Sequence, residues 1–240
     1  MKKLQKISCA LAALCLLCVF WGTPAGAVKA NFTLFHGDRT RPRIALTVDD
    51  CYDGKKVSQL LDLCEEHGVP MTFFVVGSAL KLNDQALWRR ALALGCEIGN
   101  HTWSHPRLHR LNRGEIRQTL NRTQEKLNKL LGFDYDMQLM RPPYGELSGE
   151  PGKKSDLWVV ETIEAEGYAH AVCWDVSQTD ASKALREVQN GSILLYHANP
   201  KDIRCLKKLI PALLEAGYEP VTVSELLGLP PPCWEAEKQP

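Results

Sequence analysis

No one sign of charge dominates this chain: its 240 residues carry 29 Lys and Arg against 28 Asp and Glu, a formal net charge of +1. A basic stripe for nucleic acid and an acidic tail are both missing, so a polyanion partner has no support. Low-complexity tracts, internal repeats and Pro/Gly/Ser-rich linkers are absent too, which excludes a disordered chain and leaves no boundary for a second domain. No CxxC pair or cysteine cluster offers a thiolate zinc site. Beyond the N-terminal segment no apolar run is long enough to span a bilayer, which takes about 20 residues. What remains is 45% apolar, enough for one good-sized core. A monomer is expected, with neither nucleic acid nor a stable membrane span.

Lys2, Lys3 and Lys6 precede an apolar run from Ile7 to Trp21, and Ala25-Gly26-Ala27 supplies a small-x-small cleavage pattern. Residues 1–27 therefore read as a signal peptide, with an uncleaved anchor as the competing reading, and the product as secreted or cell-envelope. Residues 28–42 form an N-terminal segment, 43–227 the domain and 228–240 a loose tail. Six cysteines follow the cleavage point: Cys51, Cys64, Cys96, Cys173, Cys205 and Cys233. Their even number permits disulfides in an exported chain, but the pairing stays open, and a domain of this size does not need staples. Cys173, inside the apolar run Ala171-Val172-Cys173-Trp174, reads as a core thiol.

Short apolar runs alternate with helical patterns. Strands are predicted over 44–48, 71–76, 97–100, 138–140, 169–174, 192–196 and 220–223. Helices are predicted over 57–67, 84–94, from Ile116 to a stop at Gly132, 157–166, 183–189 and 203–216, the last kinked at Pro211. This alternation predicts an α/β domain with a mostly parallel sheet, open or closed as a barrel.

The candidate chemistry sits where strands end. Asp49 and Asp50 follow the first strand, and adjacent residues of an extended backbone point to opposite sides, so one carboxylate can hold a metal while the other faces substrate. In His101-Thr102-Trp103-Ser104-His105 the two imidazoles are spaced to share one side of a helical turn and hold one ion. Each pattern alone is common; Asp50, His101 and His105 together form an Asp-His-His set with an open position for water. Arg141-Pro142-Pro143-Tyr144-Gly145 joins an anchored cation to a stiff turn that can aim a backbone N–H at an oxyanion. In Leu195-Tyr196-His197 a histidine closes an apolar strand and is a candidate general acid.

These motifs, in this order, resemble the polysaccharide deacetylase family, the NodB-homology enzymes of carbohydrate esterase family 4. Thr72-Phe73-Phe74-Val75-Val76-Gly77 and Glu97-Ile98-Gly99-Asn100-His101 fit the same pattern, and the likeness runs from about Arg43 to Leu227. The resemblance implies a distorted (β/α) barrel of about seven strands, a divalent metal with zinc the expected ion, and removal of N-acetyl groups from an amino-sugar polymer such as peptidoglycan or chitin oligomers. It implies Asp50, His101 and His105 as metal ligands, Asp49 as general base, Arg141 as its orienting cation, the Tyr144 N–H as oxyanion donor and His197 as the acid. Leu195 would wall the acetyl pocket.

Three positions depart from the family pattern. Its fourth motif, Asp-x-x-Asp-Trp, is Ser177-Gln178-Thr179-Asp180-Ala181 here. Asp180 is kept and is expected to tune His197, while the missing Trp predicts a wider acyl pocket. Cys51 stands where a Gly usually follows the Asp pair. A catalytically weak carbohydrate-binding relative and an amidase or imidase acting on a small molecule share the same residues as alternatives. Asn31, Asn100, Asn121 and Asn190 match glycosylation acceptors, but a glycan on Asn100 would crowd a metal ligand, so that match reads as chance.

Overall fold

The computed structural model describes residues 31–150 and 152–232; the expected signal peptide, Cys233 and the end of the tail lie outside the described residues. In chain order the elements are β1 (Thr33–Leu34), β2 (Arg43–Asp50), α1 (Gly54–His67), β3 (Thr72–Val75), α2 (Gln85–Ala93), β4 (Glu97–Asn100) and α3 (Arg113–Leu131). They continue with β5 (Leu139–Met140), α4 (Leu157–Ala165), β6 (His170–Val172), α5 (Ala181–Glu187), β7 (Ile193–His197), α6 (Pro200–Glu215), β8 (Glu219–Val221) and α7 (Val223–Leu226).

Capping sets the helix ends. Asp53 accepts from the Lys55 N–H at 2.9 Å, so α1 starts three residues before its apolar periodicity does, and it stops at Gly68 with φ 64°. Asn112 and Glu115 form a reciprocal capping box on α3, which buries Ile116, Leu120, Leu127 and Leu130 along one face. Likewise α5 begins at Ala181 because Asp180 caps it, and α6 at Pro200 because Asn199 caps it. The α6 helix runs on through Pro211. Sequence periodicity missed β1 and α7, which are too short to carry one.

Every strand pairing is parallel. The order is β1-β6-β5-β4-β3-β2-β7, with β8 also on β2. Helices α1 to α6 pack on one face of the sheet, against residues such as Leu46, Phe73, Val75 and Ile98, while the other face gathers Ala45, Phe74, Leu139, Val172 and Ile193 with α7 into a second core; accordingly β3 and β4 are buried at every residue. The eight-stranded sheet curls until its edges approach: His36 bridges Ser192, Val176 bridges Leu194, and the Gly37 N–H donates to the Gly191 carbonyl at 2.7 Å. The result is the expected single-domain α/β distorted barrel. Among the described residues no helix is long and apolar enough to cross a membrane.

Candidate active site

Strand register assembles the site. Asp49 on β2 lies beside His197 on β7, Asp50 beside Val75, Val75 beside Asn100, and Asn100 beside Met140. Residues far apart in sequence therefore end their strands on one rim of the barrel, where loops converge.

Asp50 Oδ1 is 3.8 Å from His101 Nε2 and 3.7 Å from His105 Nε2, and donor atoms of the three residues all lie within 4.8 Å of one another. Two imidazole nitrogens and one carboxylate oxygen fit a zinc-type ion with a position left for reactants. His101 Nδ1 lies 2.8 Å from the Arg141 carbonyl; that contact assigns the proton to Nδ1 and turns the Nε2 lone pair toward Asp50. Burial holds the His101 imidazole below its ordinary range, against the pull of Asp49, which favours the neutral ring that metal binding requires.

The histidines meet by a different route from the helical turn expected for them. They sit on an irregular loop in which Thr102 and His105 have φ 68° and 59°. The Thr102 N–H donates to Asn100 Oδ1 at 2.8 Å and the His105 N–H to Thr102 Oγ1 at 3.1 Å, which brings the ring centroids to 4.8 Å. The Asn100 amide is itself buried and donates to the Leu120 carbonyl and the Tyr168 hydroxyl, so this acceptor motif is out of reach of a glycan.

Arg141 is fully buried, and every side of its guanidinium is occupied. It donates to Asp49 Oδ1 and Thr47 Oγ1, each at 2.7 Å, and to the carbonyls of Val172 and Cys173, with Phe74 stacked 4.2 Å away. Such a charge-assisted pair is both short and directional. It fixes one Asp49 oxygen and leaves Oδ2 facing His101 Nε2 at 3.7 Å. Thr47, which in turn donates to the Leu194 carbonyl, is a support that sequence reasoning missed.

Backbone strain marks the same place. Six non-glycine residues among those described have positive φ, and five of them, Asp50, Cys51, Thr102, His105 and Tyr144, line this rim. Such conformations persist only where surroundings over-determine them, and they gather at functional sites. Cys51 at φ 60° explains why glycine suits that position. Its thiol is buried and driven well above the ordinary range by that burial and by Asp49 and Asp50, and it faces the Asp49 carbonyl.

Tyr144 turns at φ 62° in the short 3-10 turn Pro143–Gly145, whose own hydrogen bonds come from the Gly145 and Glu146 N–H groups. Its exposed ring lies 4.5 Å from His105 and 4.2 Å under the Arg107 guanidinium. Gly145 is required here, because a Cβ would meet the Trp174 ring at 2.9 Å. Leu195 is buried on β7 beside Thr47.

The expectation for Asp180 is corrected. It caps α5 by accepting from the Lys183 N–H at 2.9 Å, and the carboxylate beside His197 is Asp202. Asp202 Oδ2 accepts from the His197 backbone N–H at 2.8 Å and from Asn199 Nδ2 at 3.0 Å, and lies 3.5 Å from His197 Nδ1. The Asp202 hydrogen bond raises the His197 pKa, outweighing its partial burial. Burial pushes Asp202 upward, but hydrogen bonds from His197 and Asn199 outweigh it and hold the carboxyl low. The missed signal was Asn199-x-x-Asp202 at the start of α6, a capping pattern.

The polysaccharide deacetylase family model matches residues 36–156, which include Asp49, Asp50, His101, His105 and Arg141. A peptidoglycan-N-acetylglucosamine deacetylase from Bacillus cereus is 31% identical over 216 residues, covering 85% of this chain and 75% of that protein. The chain belongs to the polysaccharide deacetylase family. It spans about 40% of the longer Listeria relatives it also matches. The crystal structure of the Bc1960 peptidoglycan N-acetylglucosamine deacetylase superposes with a TM-score of 0.70 at 28% identity, covering 83% of this chain and 94% of that one. A Bacillus anthracis pseudoenzyme of carbohydrate esterase family 4 shares the fold at 21% identity, covering 82% and 69%, with a TM-score of 0.71. A polysaccharide deacetylase fold therefore does not by itself decide turnover.

Proposed function

We propose that the protein is a metal-dependent deacetylase that removes N-acetyl groups from an amino-sugar polymer of the cell envelope, with peptidoglycan the expected substrate. The observation that carries this reading is the convergence of the Asp50, His101 and His105 donors beside an Asp49 locked by Arg141, with His197 in register across the strand pair. The relatives named as peptidoglycan deacetylases support the substrate class, and residues 1–27 support export.

Asp50, His101 and His105 would hold the ion, zinc by its donor set, which when bound polarises the acetamide carbonyl and acidifies a water. Asp49 accepts the proton of the attacking water. Arg141 keeps its carboxylate aimed and ionised, so no reorientation precedes proton transfer. The Tyr144 N–H, unused by its own turn, faces the developing oxyanion. His197, protonated with the help of Asp202, donates to the leaving amine, whose anion is too basic to depart unaided. Trp174, beside Gly145 and 5.7 Å from the Arg141 guanidinium, would with Leu195 form part of the apolar wall, leaving open the space beside Ala181.

The test is acetate release by the zinc-loaded protein from peptidoglycan and from chitin oligomers, beside small-molecule amides. Release from a polymer, abolished by chelation and restored by zinc, is expected. Zinc-dependent turnover confined to small amides or imides would overturn the polymer assignment. Polymer binding without any release would identify a carbohydrate-binding relative.

A further inference from the structure

Cys64 and Cys96 lie outside the catalytic rim. Cys64 is in the last turn of α1 and Cys96 immediately precedes β4. Both side chains are buried, and their Sγ atoms are 3.8 Å apart. Hydrogen bonds fix the backbone on both sides: the Cys64 carbonyl accepts from the Val69 N–H at 3.1 Å, and the Cys96 N–H donates to the Ala91 carbonyl at 3.0 Å. Cys51 and Cys205 instead face the carbonyls of Asp49 and Gln178, and Cys173 packs beside Arg141. Disulfide sulfurs sit about 2.05 Å apart, so this pair needs to close by less than about 2 Å.

We propose that Cys64 and Cys96 are an oxidation site that forms a disulfide tying α1 to β4. Cys96 lines a surface cavity of about 400 Å³ together with Gly95, Glu97 and Tyr135, which gives a small disulfide such as glutathione disulfide a way in. The Cys96 thiolate attacks one glutathione sulfur, forming a mixed disulfide and releasing one glutathione thiolate. Cys64, having given its proton to solvent, then attacks Cys96 Sγ, forms the protein S–S bond and releases the second glutathione. Two protein thiols lose two electrons, and one glutathione disulfide becomes two glutathiones. Cys96, which lines the cavity while Cys64 does not, is the thiol reached first.

The inference does not depend on the enzyme's activity. Its test refolds the full chain from denaturant in a glutathione redox buffer, so that burial cannot block access, with a second sample refolded in excess reductant. Free thiols are alkylated and the peptides mapped. A single Cys64–Cys96 crosslinked peptide is expected, with a melting temperature roughly 5–15 °C above the reduced form. Cys64→Ser and Cys96→Ser should abolish that rise, with Cys64→Ala and Cys96→Ala as replacements if a buried hydroxyl prevents folding. Alkylation of both residues after oxidative refolding would overturn the proposal. So would a crosslink to any other cysteine, or an oxidised form no more stable than the reduced one.

Discussion

On the β2–β5 side of the rim, Asp49, His101 and Arg141 are 4%, 1% and 0% exposed and hold one another through at least two contacts each. On β7 the His197 side chain is 45% exposed and rests on one carboxylate, Asp202. The first half is closed before substrate arrives, with strained backbone at Asp50, Thr102 and His105 that only dense surroundings can maintain. The second half is open and rewired: its carboxylate comes from the first turn of α6, while Asp180 is spent capping α5. Under the proposed mechanism, the difference teaches that water activation would rest on the rigid, preorganised half and leaving-group protonation on the exposed one.

The largest effects should come from breaking the closed half. Asp50→Ala or His101→Ala should lose bound metal and turnover together, since one missing ligand of three leaves an incomplete site. Asp49→Asn should keep the metal yet lose about 10²–10⁴-fold in kcat. Metal analysis beside acetate release separates the two cases, and an Asp50→Ala protein that kept stoichiometric metal and normal turnover would disprove the ligand set.

The open half should respond in pH dependence more than in stability. His197 must be protonated to act as an acid, so activity falls as pH rises through its pKa. Asp202 raises that pKa, and Asp202→Asn should therefore move the alkaline limb of the kcat profile to lower pH, costing more turnover at pH 8 than at pH 6. An unmoved limb would detach Asp202 from His197. The same sign holds for folding: the raised pKa adds stability below about pH 6.5, the unfolded value, and that stability fades as pH climbs past the folded value.

Smaller changes sharpen the contrast at its edges. Ala181→Trp should shift the acetyl-to-propionyl rate ratio toward acetyl by about 10-fold or more, because one methylene is worth about 1–3 kcal/mol in an apolar pocket. If the ratio already strongly favours acetyl in the natural protein, Trp174 and Leu195 fill the gap unaided. Cys51→Gly relieves a left-handed backbone but removes a buried side chain. These terms oppose each other at about 1 kcal/mol each, so a denaturation midpoint close to the parent's is expected.

Legibility followed the range of the interactions involved. The strand cores, Gly68 and Gly132 as helix stops, and the Asp-Asp, His-x-x-x-His and Arg-Pro-Pro-Tyr motifs could all be read locally, because periodicity and turn chemistry act over a few residues. Helix starts were late at α1, α3, α5 and α6, where a polar cap outranks the apolar pattern. The helical turn assigned to His101 and His105 failed because Asn100 and Thr102 side chains bond the intervening backbone, an alternative to helix open to such residues.

By itself the sequence determined the α/β alternation, the candidate donors Asp50, His101 and His105 beside Asp49, and the likeness to a deacetylase, since these reside in residue type and short spacing. Only the tertiary structure decided that Asp202 and not Asp180 serves His197, that Thr47 and two carbonyls lock Arg141, that Trp174 backs Gly145, and that Cys64 meets Cys96. Each of those contacts depends on parallel strand register or helix packing between segments distant in the chain, and no local pattern encodes which distant partner a side chain will face.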